Sequence, residues 1–187
     1  MTEAASSRRC SNFAMNAALN CHCRQEALGA QAGDVVVPPL DVTSEGCHGC
    51  TRLDPSNYQG EPAKMTTVDA LNLPKLRLLK VDVEGMEGDV IKGAQRTIQA
   101  FKPALYIRTH YNPSDNTLSK ESQDVARFVQ GLNYDMYWHF ARLYFPDNFY
   151  GNAENHFGED TVLHILAVPH VEGSSIEGLE RVEVPPA

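Results

Sequence analysis

The stretch "LLKVDVEGMEGDVIKGAQ", Leu78 to Gln95, changes character in its middle. It begins as a compact apolar run with Val81 and Val83 near its end, and Pro74 lies just upstream. A continuous run bounded by a turn signal reads as a strand buried on both faces, as in a parallel sheet. After the glycines, Val90, Ile91, Ala94 and Ile98 recur at three- and four-residue spacing. That spacing predicts one amphipathic helix from Met86 to Phe101, stopped by Lys102-Pro103. Between strand and helix stand Asp82, Glu84 and Glu87. Open α/β sheets bind ligands just outside the carboxyl ends of their parallel strands, which is where Asp82 and Glu84 fall. Strand alternation would turn both carboxylates toward one crevice, and Gly85 would permit the sharp turn. Alternatively, the acids cap the helix and meet the positive end of its dipole, at about 0.3 to 1 kcal/mol each.

Working outward, "NFAMNAALN" offers Phe13, Met15, Ala18 and Leu19 as a modest amphipathic helix ending at Asn20. "CRQEALGAQAGDVVVPPLD" reads as strand, turn and strand, closed by Pro38-Pro39. From Asp41 to Lys64 the composition predicts a long loop, and "TTVDALNL" a short turn or helix ended by Pro74. Downstream, "ALYIRTH" is a strand. Val125, Phe128, Val129 and Leu132 mark a second helix, and "YDMYWHF" and "TVLHILAVP" are two more strands joined by the aromatic loop "ARLYFPDNFYGNAENHFGED". This order predicts an α/β sheet with a parallel part and an antiparallel end. Residues 1–12 read as a disordered start, 13–169 as the folded domain and 170–187 as a loose tail. The aromatic loop reads as a cover for the core or a pocket lining, with the core cover favoured. His139 and His164 read as packed histidines.

The chain's 187 residues suffice for one ordinary domain. Its 16 basic and 24 acidic side chains give a formal charge of -8, which repels nucleic acid and anionic membranes. No apolar run reaches membrane-span length and no secretory h-region opens the chain, so the expectation is a cytoplasmic protein with no membrane and no nucleic-acid partner. Five cysteines without an export signal read mostly as reduced thiols. "CHC" at Cys21–Cys23 and "CHGC" at Cys47–Cys50 could together ligate zinc. The CxC spacing is uncommon for a structural site, so ordinary cysteines are the reading and no metal is assigned.

"LLKVDVEGMEGDVIKGAQRTIQAFKP" resembles the most characteristic stretch of the FkbM-type S-adenosylmethionine-dependent methyltransferases. Lys80, Asp82, Glu84, Gly85, Glu87, Lys92, Gly93 and Ala94 match its pattern. "TTVDAL" resembles the family's Thr-x-Asp element, "MNAALN...EALGAQAGDVVVPPLD" its upstream helix and strand hairpin, and "YWHFARLYFPDNFYGNAEN" the aromatic loop of one branch. The similarity runs from about Phe13 to Pro169. It implies a Rossmann-like methyltransferase sheet in which "LLKVDV" is the fourth strand and "ALYIRTH" the fifth. Family members begin with a first strand, a glycine-rich loop for the cofactor's methionine end and a second strand ending in an acid. The dozen residues before Phe13 are too few for these. The expectation is therefore a sheet lacking its first two strands, with a bare edge on the fourth and no neighbour for the "CRQEAL" strand. Arg108 stands where the family commonly has Glu.

The resemblance implies S-adenosylmethionine as cofactor and a hydroxyl of a small molecule or glycan as methyl acceptor. Asp82 and Glu84 are the candidates for base or substrate positioning, and His110, after the fifth strand, for base or ligand. Ala27 and Leu28 would lie near the adenine, with Asp82 also on the cofactor side. Two other readings differ in class: a non-catalytic remnant that binds a partner or a second copy through its sheet edge, and a metal-dependent hydrolase with Asp82, Glu84 and His110 around Mg²⁺ or Mn²⁺.

Overall fold

The computed structural model describes residues 11–18, 20–39, 59–112, 117–158 and 161–184. They form two compact units. The first takes in the described residues up to Leu73 together with Val83–Thr97, and the second Pro74–Asp82 and the described residues from Ile98 onward. The chain therefore passes from one unit to the other between Asp82 and Val83, inside the motif itself. Among the described residues no helix is long and apolar enough to cross a membrane.

In the first unit, β1 (Glu26–Leu28) and β2 (Gly33–Val37) both pair with β3 (Glu61–Thr66). The order is β1-β3-β2, parallel between β1 and β3 and antiparallel between β2 and β3. β3 lies partly within the stretch expected to be loop. Its sequence, Glu-Pro-Ala-Lys-Met-Thr, has little alternation, and pairing on both sides makes it a strand. β3 also gives β1 the neighbour that the sequence reading denied it. Of the amino-terminal helix, residues 11–15 are helical and Ala17 turns left-handed at φ 53°, so the helix stops before Asn20. Residues 11 and 12 belong to it rather than to a disordered start. Residues 1–10, and with them Cys10, lie outside the described residues, as do Cys47 and Cys50. Cys21 is exposed and Cys23 half-buried.

The single helix expected from 86 to 101 is two: α1 (Glu87–Lys92) and α2 (Gln95–Phe101). The break has two causes. A Cβ at Gly93 would stand 2.1 Å from the Gly29 carbonyl oxygen, so only glycine permits this approach of backbone to backbone. Asp69, in a 3₁₀ turn at Asp69–Leu71, then starts the second helix. Its Oδ1 accepts from the Thr97 N–H at 2.8 Å and its Oδ2 from the Arg96 N–H at 3.1 Å, two donors a helix start leaves without partners. The Asp69 N–H donates to the Gly93 carbonyl at 2.9 Å, tying the turn to the end of α1. Val68, Val90, Ile91 and Ala94 are buried in this unit.

The second unit is a four-stranded sheet of β4 (Leu78–Val81), β5 (Ala104–Arg108), β8 (Tyr134–Arg142) and β9 (Thr161–Pro169). The short hairpin β6 (Tyr111–Asn112) and β7 (Thr117–Leu118) follows β5. The sheet order is β4-β5-β9-β8, with β4 parallel to β5 and β9 antiparallel to both its neighbours. A mixed α/β architecture with a parallel part and an antiparallel end is what the sequence predicted. β4 is not buried on both faces, however. It ends the sheet, and Leu78 is 56% exposed. Helix α3 (Lys120–Gly131) starts at Ser119, whose Oγ accepts from the Ser122 N–H at 3.2 Å, and it buries Val125, Ala126 and Val129. The tail expected to be loose is partly tied down. Trp138 N–H donates to the Glu180 carbonyl at 2.8 Å and Val182 N–H to the Met136 carbonyl at 2.9 Å, while the Arg181 guanidinium lies 5.6 Å from the centre of the Tyr137 ring.

Candidate functional site

Alternation along β5 buries Leu105 and Ile107 and leaves Ala104, Tyr106 and Arg108 half-exposed. The register carries that division across the sheet: Lys80 pairs with Tyr106, Arg108 with His164, and His164 with His139. Residues opposite one another share a face. One face of this sheet is therefore mainly apolar and the other carries Lys80, Tyr106, Arg108, His139 and His164, with Asp82 one residue beyond the end of β4.

Asp82 sits between two cations. Its Oδ2 accepts from Lys80 Nζ at 3.1 Å and its Oδ1 from Arg108 Nη1 at 3.3 Å. Burial works against its charge, but the hydrogen bonds and positive charges of Lys80 and Arg108 outweigh it and hold the carboxyl below the usual range. Beside this clamp, the Tyr106 hydroxyl and His139 Nδ1 form a hydrogen bond of 2.8 Å. The Tyr106 ring stacks on His164 with centroids 4.3 Å apart and planes 9° apart. Burial raises the Tyr106 phenol above its ordinary value, and the Asp82 charge adds to the effect. Burial likewise pushes the His164 imidazole down, against the hydrogen bond to the Val162 carbonyl and the attraction of Asp82. This face thus holds a fixed carboxylate and a tyrosine between two imidazoles.

The other carboxylates belong to the first unit. Glu87 is 5% exposed and closes the strand-to-helix turn by accepting from the Val83 N–H at 3.3 Å and the Gly85 N–H at 3.0 Å. It does the work of a cap, reaching back to donors that precede the helix. Glu84 has φ 49° and Gly85 φ 94°, so two consecutive residues are left-handed. For a glutamate that conformation costs about 1 kcal/mol or more, held in place by the Glu87 closure. The extended backbone ends at Val81. Alternation therefore does not set the shared face for Asp82 and Glu84 that the sequence suggested, because the chain turns between them.

His110 lies two residues past β5. Its N–H donates to Ser122 Oγ at 2.9 Å and its carbonyl accepts from the Ser119 N–H at 2.9 Å, which fixes its backbone at the start of α3. Ala27 and Leu28 are half-buried in β1, opposite Met65 and Thr66 of β3. Among the described residues no group of three or more His, Cys, Asp and Glu side chains stands together as a metal site. The hydrolase reading needs such a group in Asp82, Glu84 and His110.

The chain matches the Methyltransferase FkbM domain family over residues 5–136. It belongs to that family. No curated protein and no solved structure matches it. The match ends within β8, so the aromatic loop and β9 lie beyond it. Within it fall Asp69, Lys80, Asp82, Glu84, Glu87 and Gly93, and the structure separates their tasks. Asp69, Glu87 and Gly93 build the turn-helix-helix segment of this FkbM domain, while Asp82 and Lys80 stand on the polar face of the second sheet. Arg108 is the residue that closes the clamp on Asp82.

The cofactor such a family implies can be tested against the described residues. Ala27 and Leu28 offer only apolar side chains. The adjoining glycine is filled by the chain itself, since a Cβ at Gly29 would lie 2.6 Å from Met65 Sδ. Together with Gly93, closed by the Gly29 carbonyl, these positions form no cradle for S-adenosylmethionine among the described residues. Sequence reasoning missed Tyr106 as a site residue and assigned His139 and His164 to packing. The signal available was the period of two in Lys80-Asp82 and Tyr106-Arg108, but the partner strand β9 and its register could not be read from it.

Proposed function

We propose that this chain carries the acceptor side of S-adenosylmethionine-dependent methyl transfer to a hydroxyl oxygen of a small molecule or glycan, within a Rossmann-like methyltransferase sheet. The observation that carries the reading is Asp82, clamped between Lys80 and Arg108 at the carboxyl end of the parallel pair β4 and β5. Ligands of α/β sheets bind at such ends. A carboxylate held below its usual pKa is a weak proton acceptor, so Asp82 serves to orient the acceptor hydroxyl by taking its hydrogen bond. His110, at the same end of this sheet, is the candidate for proton acceptor.

The test is isothermal titration of the chain with S-adenosylmethionine and S-adenosylhomocysteine, followed by detection of methylated product on hydroxylated glycosides. Asp82→Asn is expected to lower turnover about a hundredfold while leaving the melting temperature close to wild type. A folded chain that neither binds either compound nor yields product overturns the catalytic reading. A second reading is supported by the position of β4 at the end of its sheet with Leu78 exposed: a non-catalytic module that pairs a partner or a second copy along that edge. It predicts a mass above the monomer in solution and no cofactor affinity.

A further inference from the structure

The loop between β8 and β9 was expected to cover the core, and it does the opposite. Phe149 is 95% exposed and Tyr150 90%, and Phe145 and Phe157 are about half exposed at 53% and 50%. Water-exposed aromatic rings on a slack loop would be unremarkable, but this loop is internally fastened. Asn148 Nδ2 donates to the Phe145 carbonyl at 3.0 Å and the Asn152 carbonyl at 2.8 Å, and its Oδ1 accepts from the Asn152 N–H at 3.1 Å. The Tyr144 hydroxyl donates to the Asn152 carbonyl at 3.1 Å, and Asn155 Nδ2 to the Gly158 carbonyl at 2.7 Å. The asparagines are occupied in holding the loop's shape, and the shape holds the rings outward, with Phe149 and Tyr150 edge to face at 5.2 Å. Preorganisation of this kind lowers the ordering cost of binding.

The loop also springs from the right place. It leaves β8 at Arg142 and rejoins β9 at Thr161, which are paired, and three residues further in lies the His139–His164 pair of the polar face. At strand spacing that is about 10 Å. Four considerations identify what binds there. The rings stand on an open surface, whereas a small molecule needs a concavity that encloses most of it. An extended chain that continues past the site suits the platform better. Stacking platforms also serve single-stranded nucleic acid, but those need basic grooves, and this chain carries a charge of -8. Membrane-surface segments pair aromatic side chains with Lys or Arg. Between Leu143 and Gly158 the charged residues are Asp147 and Glu154, with no Lys or Arg. Aromatic faces for ring C–H groups, with exposed carboxylates to accept from hydroxyls, describe a surface for neutral polyhydroxylated rings.

Building on the proposed methyl transfer, we infer that the loop from Leu143 to Gly158 is a docking platform for a neutral oligosaccharide chain, whose hydroxyl it presents to the Asp82 face. The test is saturation-transfer NMR of the full chain with maltohexaose, cellohexaose, chitohexaose and xylohexaose. At least one is expected to bind saturably, and Phe149→Ala and Tyr150→Ala are each expected to weaken that binding by about tenfold. Val171→Ser, an exposed apolar residue outside the loop, should leave it unchanged. Because both rings are exposed, the variants should melt as wild type does. Absence of binding to all four sugars, or binding indifferent to both substitutions, overturns the inference. So does partition onto phosphatidylcholine vesicles, or dimerisation, that is abolished by Phe149→Ala while sugar binding is absent. The readout does not require methyl transfer. Sugar binding lost on Phe149→Ala in a chain that transfers no methyl group would sustain the platform and refute the catalytic reading.

Discussion

Replacing Asp69 with alanine should weaken the fold at a definable place. The carboxylate accepts four hydrogen bonds: from the Thr97 N–H and hydroxyl at 2.8 and 2.7 Å, and from the Arg96 N–H and Nε at 3.1 and 3.4 Å. The Arg96 guanidinium is 78% exposed, so that ion pair contributes little. Loss of a helix cap costs about 1 kcal/mol and up to about 2. The Thr97 hydroxyl, on a residue 7% exposed, loses its charged partner at a further cost of about 1 kcal/mol. The expected destabilisation is about 2 to 3 kcal/mol, or a fall in melting temperature of about 5 to 10 °C for a chain of this size. Circular dichroism melts measure it, and hydrogen exchange at the Arg96 and Thr97 amides localises it. Asp69→Asn keeps a side-chain oxygen that can cap and should recover most of the loss. The pH dependence has a fixed direction. Burial opposes the charge of Asp69, but the bonds from Thr97 and Arg96 prevail and set its folded pKa below the unfolded one. Its stabilisation is therefore complete above the unfolded pKa near 3.9 and disappears as pH falls through the lower, folded value. The gap between wild type and Asp69→Ala should narrow as pH falls below about 4. A melting change under about 1 °C at neutral pH, or a gap that widens in acid, would refute the reasoning.

Gly93→Ala places a methyl group 2.1 Å from the Gly29 carbonyl oxygen, and neither backbone can yield cheaply. The expected cost is about 1 to 3 kcal/mol, read from urea midpoints, and an unchanged midpoint would show that the close approach does not exist in solution. Tyr134→Phe removes the hydroxyl that donates to the Pro103 carbonyl at 2.8 Å in a buried setting. It should cost about 1 to 2 kcal/mol in the same assay. Burial pushes the Tyr134 phenol up to about 12, so its contribution is complete below the unfolded value near 10 and is lost as pH rises toward the folded one. Ultraviolet titration should find less tyrosine ionising near pH 10 in the folded chain than in urea, and Tyr134→Phe should shrink that difference.

Local signals carried much of this protein. The apolar run at Leu78–Val81 and the three- and four-residue spacing of Val125, Phe128, Val129 and Leu132 lie within a few residues of what they specify, so the corresponding elements were legible. The motif around Asp82 also identified the family, because its residue types and spacing are local properties of the chain. What the sequence could not specify was anything settled by contact across distance. β3 has a weak strand pattern and is a strand because β1 and β2 flank it. The helix predicted as one breaks in two because Gly29 and Asp69, each more than twenty residues away, meet it at Gly93 and Thr97. Tyr106, His139 and His164 become one cluster only through the register of β9 against β5 and β8. Hydrophobic periodicity reports which face of an element is buried, and partner choice and register depend on long-range pairing that no single segment encodes.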